Sequence, residues 1–126
     1  MRRLYAPVPD FEATIRILTA EEGGRTTAPF NGIRWDFAYR EDQAADSLYM
    51  IWPDFYGPSG DSLPTDAPLP IGVEIPARMT VVAHETRDSI HGARVRPGVE
   101  FYCHEGRQRV AVGRVTRVVG LRGASQ

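Results

Sequence analysis

FEATIRIL, residues 11–18, alternates from end to end: Phe11, Ala13, Ile15 and Ile17 are apolar, while Glu12, Thr14 and Arg16 between them are polar. A period of two is the mark of a strand with one buried and one wet face. Immediately after it come Glu21, Glu22, Gly23 and Gly24, and a double glycine allows backbone angles that side chains forbid, so a sharp loop is predicted there. Alternation resumes over residues 33–40, with Ile33, Trp35, Phe37 and Tyr39 on one parity. That is a second strand.

Further along, residues 48–52 predict a short aromatic strand that ends at Pro53, because proline cannot donate to a ladder. Six of the ten prolines lie between Pro53 and Pro76, so residues 53–69 are predicted to form an acidic, proline-rich surface loop. Short strands are predicted over residues 71–75, 78–84 and 93–96. Residues 100–104, a tight turn at Glu105 and Gly106, and the valine-rich residues 109–119 predict a terminal hairpin. Nowhere do 11 residues keep a helical period uninterrupted by glycine, proline or β-branched clusters, so no long helix is expected. Six or more short strands in one small chain predict an all-β, closed antiparallel barrel, since closure removes unpaired edges.

Composition agrees with one such body. The chain has 126 residues, 42% hydrophobic and 25% charged, enough apolar material for one core and too little length for two, so residues 1–126 read as a single domain. Its longest apolar run is about five residues, far short of the roughly 18 that span a bilayer. The N-terminal MRRLYAPVPDF lacks an apolar stretch behind its arginines, which predicts no secretory signal and a cytoplasmic location. The formal net charge of −1 hides an uneven distribution: residues 41–77 carry seven acids and no base, and residues 78–126 carry nine arginines against four acids. A general cationic footprint for nucleic acid is absent, though a local arginine patch is not.

The strings at residues 11–18, 21–27 (EEGGRTT), 30–34 (FNGIR) and 37–40 (FAYR), with PG at 97–98, HEG at 104–106 and VAVGRV at 110–115, resemble the C-terminal, third-domain barrel of elongation factor Tu over about half of the chain. The resemblance implies a six-stranded antiparallel barrel that in the family packs on a GTPase domain and touches the T stem of aminoacyl-tRNA. The tRNA-facing positions of the family fall on Arg25, Thr26, Asp36, Glu105 and Gly106. Arg25 and the Glu105–Gly106 pair match; Thr26 stands where histidine is usual, Asp36 for a glutamine, Trp35 for a proline and Gln108 for an arginine. An anion at Asp36 and a lost guanidinium at Gln108 weaken a phosphate contact. The chain contains no lysine and so no phosphate-binding P-loop, which excludes GTP binding by that route. The acidic loop is additional to the family pattern.

No grouped nucleophile, base and orienting residue is visible, so no enzyme, catalytic residue or cofactor is expected. Cys103 reads as a small buried hydrophobe. His84, His91 and His104 read as surface or turn residues and not metal ligands, and Asp54, Asp61 and Asp66 as a solvated acidic loop and not a calcium site. Arg107, Arg109, Arg114 and Arg117 form one cationic stripe if a bulge restores their register, and are otherwise ordinary outward residues. The expected function is a non-catalytic binding module for a protein partner, a translation component or a toxin, with RNA, as the T stem of aminoacyl-tRNA, the alternative. The expected contact residues are Gly23, Gly24, Arg25, Thr26, Asp36, Glu105, Gly106, Arg107 and Arg109, with Trp52, Phe55 and Tyr56 from the aromatic loop.

Overall fold

The computed structural model describes residues 2–5, 8–42 and 47–121. Its six strands are β1 (Phe11–Ile17), β2 (Asp36–Tyr39), β3 (Tyr49–Phe55), β4 (Glu74–Val81), β5 (Glu100–Glu105) and β6 (Gln108–Val118). They close into an antiparallel barrel in the order β1-β4-β3-β2-β5-β6, with β6 returning to β1. The predicted fold class is therefore the observed one. Among the described residues no helix is long and apolar enough to cross a membrane.

Alternation does what the sequence predicts in β1, where Phe11, Ala13, Ile15 and Ile17 are buried and the residues between them are half-buried. The barrel interior is aromatic in its middle: Phe37 stacks on Phe101 with ring centroids 4.5 Å apart, and Phe11 meets both rings edge-on. Gly113 is the register partner of Phe101, and a β-carbon there would stand 2.3 Å from the Phe101 ring. Phe101 occupies the room that Gly113 leaves. Gly113→Ala is expected to cost about 1–3 kcal/mol by overpacking, measured by chemical denaturation, and a second change, Phe101→Leu, is expected to recover part of the loss.

Several boundaries differ from the predicted ones, each for a physical reason. β3 continues through Pro53 to Phe55. The bonds from Val82 N to Met50 O and Tyr56 N to Pro76 O show that even-numbered residues of β3 face β4, so the Pro53 nitrogen points away from that ladder and nothing is lost. Pro53, Asp54 and Phe55 thus belong to the barrel, and the loop spans residues 56–73. The predicted strands at 71–75 and 78–84 are replaced by the single β4, and only residues 36–39 of the predicted 33–40 are strand. The predicted strand at 93–96 is wrong: residues 84–94 are helical, with a π-turn over Arg87–His91. Asp10 anchors this segment. Its carboxylate accepts from Arg87 and from Val81 N, while its carbonyl accepts from the amides of Val119, Gly120 and Leu121.

Because strands alternate in direction, residues 18–35, residues 56–73 and the β5–β6 hairpin all emerge at one end of the barrel, here called the upper end. Residues 84–94 cover the opposite, lower end.

Candidate functional site

The double glycine is required twice over, for different reasons. Thr19 and Glu22 form a reciprocal cap, Thr19 Oγ1 accepting from Glu22 N and the Glu22 carboxylate accepting from Thr19 N, which closes one tight turn. Gly23 ends that turn at φ 92°, a conformation side-chained residues resist. Gly24 has no such φ; instead a β-carbon there would lie 2.5 Å from the Leu18 carbonyl oxygen. The first glycine permits the turn and the second lets it lie flat on β1. Glu22 also accepts from Arg16 at 2.8 Å, and these donors, Arg16 first, hold its carboxyl down at about 2.

From this turn Arg25 reaches across the upper end to the β5–β6 hairpin. Its Nη1 donates to Glu105 Oε2 at 2.7 Å, and its Nε donates to the Thr27 carbonyl. The same Glu105 oxygen accepts from Trp35 Nε1 at 2.8 Å. The Gln108 amide donates to the carbonyls of Gly23 and Gly24, both at 3.1 Å. Arg25, Trp35, Glu105 and Gln108 thus lock the loop to the hairpin tip. Trp35 and Gln108 both serve this lock. Arg25 pairs neither with Glu21 nor with Glu22, its neighbours in sequence; its acid is 80 positions away.

Of the remaining expected contact residues, Thr26, Gly106 and Arg107 are exposed at the upper end, with Gly106 at φ 61° in the hairpin turn. That turn comprises Gly106 and Arg107, between the paired Glu105 and Gln108. Asp36 lies on the outer wall between its register partners Met50 and His104. Arg109 is exposed and lies over the Tyr102 ring, 3.5 Å from its centroid. The bulges bring three of the four arginines of the expected stripe onto the outer wall, while Arg107 lies in the hairpin turn. β6 shifts register opposite Cys103/His104 and again opposite Glu12/Ala13, so Arg109, Arg114 and Arg117 all lie exposed on the outer wall. Arg117 is already held by Glu12 at 2.6 Å.

The aromatic candidates divide. Phe55 is fully buried and packs edge-on against Trp35, so it is core and no contact anchor. Trp52 is half-buried on the outer wall, with the Arg34 guanidinium 4.5 Å from its ring centroid. Tyr56 donates its hydroxyl to Glu12 at 2.7 Å; burial, then this bond to Glu12, pushes its pKa up to about 12. Asp54 is likewise not solvated but buried, accepting from Asn31, Ser62 and the Leu4 amide. His91 and His104 are also buried, against the surface or turn placement expected for them. Cys103 sits inside the barrel, where burial pushes its thiol well above the ordinary range and leaves it unreactive. Among the described residues no three His, Cys, Asp or Glu side chains come together as a metal-holding group.

Sequence pattern did not reveal what the upper end exposes. Phe30, Ile71 and Val73 are large, apolar and exposed there, and Phe30 also lines a hollow of about 450 Å³ with Arg25, Thr27, Pro29 and Ile33. Ile71 and Val73 mimic strand alternation; the contrary signal was Pro70 and Gly72 among them, which break a ladder. No family model matches the chain.

Proposed function

We propose that this chain is a non-catalytic binding module, similar to the third domain of elongation factor Tu, whose upper end docks a protein partner in the cytoplasm, a translation component or a toxin. The observation that carries the reading is the convergence at one barrel end of the residue 23–27 loop, the hairpin tip and the residue 56–73 loop, with the first two locked together by Arg25, Trp35, Glu105 and Gln108. A rim held this way loses little freedom on binding. A protein is favoured over RNA because Arg25 is already bound to Glu105 and Asp36 adds a negative charge to the outer wall. The aligned Arg109 and Arg114 are what supports the RNA reading.

A photo-reactive residue at Thr26 is expected to capture a protein in cells, one at Ser89 on the lower end to capture none, and Arg25→Ala to weaken capture from Thr26 about tenfold by releasing the lock. Equal capture from both ends, or an Arg25→Ala form that behaves as the parent does, would overturn the proposal. Charged tRNA shifted in a gel, with affinity falling steeply as salt rises, would replace the protein reading by the RNA one.

A further inference from the structure

Six large hydrophobic side chains are exposed among the described residues, and three of them, Phe30 at 45%, Ile71 at 37% and Val73 at 52%, stand on the upper-end loops. Val8 and Val119 lie at the lower end and Met50 stands on β3, and scattered singles of that kind need no explanation. The upper three are held out on bonded backbone. Phe30 bridges Pro68, Leu69 N donates to Pro29 O at 2.8 Å, and Gly72 N donates to Ile17 O at 2.9 Å. With Pro68 and Pro70 stiffening the same turn, these side chains are presented with little left to order.

Exposed charge of both signs stands at this end, with Arg34 in the Phe30 loop, Arg2 beside Asp61 and Arg107 at the hairpin tip as bases, but the residue 56–73 loop itself carries acids alone. Asp66, Glu74 and Glu21 are exposed in the same loops or at their edge, and no base occurs between residues 41 and 77. Arg16, the register partner of Glu74, gives its guanidinium to Glu22, and Arg25 gives its own to Glu105. Arg16 also attracts Glu74, whereas Asp66 and Glu21, which flank the apolar crest, form no ion pair among the described residues. We infer that this crest, Phe30 with Ile71 and Val73, receives a basic segment of the partner protein, with aliphatic side chains set on the crest and lysines or arginines against Asp66, Glu74 and Glu21. The inference rests on the protein-docking reading and adds the partner's chemistry.

Two labelled peptides of equal length test it, one of leucine and lysine, the other of leucine and glutamate, read by fluorescence anisotropy. The leucine–lysine peptide is expected to bind at least about tenfold more tightly. Ile71→Ser with Val73→Ser is expected to remove about tenfold of that affinity, Asp66→Arg with Glu74→Arg to reverse the preference, and Val8→Asp at the lower end to change nothing. Equal binding of the two peptides, or a serine pair that binds as the parent does, would overturn the inference. Capture from Thr26 that persists without a peptide preference removes this inference alone, whereas loss of both removes the docking reading as well.

Discussion

Replacing Asn31 with alanine is expected to lower the unfolding free energy by about 3–5 kcal/mol, a large share of the roughly 5–15 kcal/mol typical of a domain. The two amide hydrogens of Asn31 are shared among Asp54 Oδ1, Phe55 O and Leu63 O, and its oxygen accepts from Phe55 N at 2.9 Å and Gly32 N. β2 begins only at Asp36 and pairs with β3 only at Met50 and Tyr49, so beyond that point β3 is paired with β4 alone and has no strand on its other side. Asn31 serves there in place of a ladder. Alanine would leave the Phe55 N–H and the Leu63 carbonyl without these bonds and remove a donor from the buried Asp54 carboxylate. Asn31→Asp is expected to be at least as damaging, because a second carboxylate would face Asp54. Denaturant unfolding of both variants checks this, and a loss under about 1 kcal/mol would show that water replaces the amide.

Periodicity made the barrel legible, because a strand's inward side chains repeat by a rule that needs no knowledge of its neighbours. Residues 11–17 follow it throughout and residues 100–103 do the same, with His104 buried out of phase. Residues 33–35 keep the alternation yet are not strand, since the side chain of Asn31 and the register of β3 decide that edge. The predicted strand at 93–96 differs from the helical turns over 84–94 for the opposite reason: Gly92 and the β-branched Thr86 and Ile90 argue against a helix, and tertiary anchoring by Asp10 on Arg87 overrides them. At the site, the Gly23–Gly24 turn was visible as local chemistry. The Arg25–Glu105, Trp35–Glu105 and Gln108–Gly23 bonds were not, because each joins residues at least 70 positions apart.

Acid should destabilise the barrel through His91. This ring is fully buried under residues 84–94, with Nδ1 2.6 Å from the Tyr39 hydroxyl, the Tyr49 ring edge-on at 4.7 Å, and Nε2 without a partner. Burial, and next the charge of Arg94, push its pKa down to about 4, against an opposing pull from Asp10. Arg94 itself is held over the Tyr39 ring and paired with Asp42 and Glu41. A depressed histidine pKa means that the unfolded chain takes up the proton first as pH falls. The penalty is absent above about 6.5 and complete below about 4, and amounts to about 3 kcal/mol. The difference between the parent and His91→Gln isolates this effect from the rest of the chain: the parent is expected to lose that much more stability across this window. A titration of the His91 imidazole by nuclear magnetic resonance with a midpoint near 6.5 would contradict it, even if the variant does not fold.

Docking through the upper end is tested most directly by the amide hydrogen-exchange footprint of the full chain in complex with the protein captured from Thr26. Slowed exchange is predicted at residues 23–32, 66–74 and 105–108, with residues 84–96 exchanging as in the free chain. Protection centred on residues 84–96, or spread evenly around the barrel wall, would contradict it.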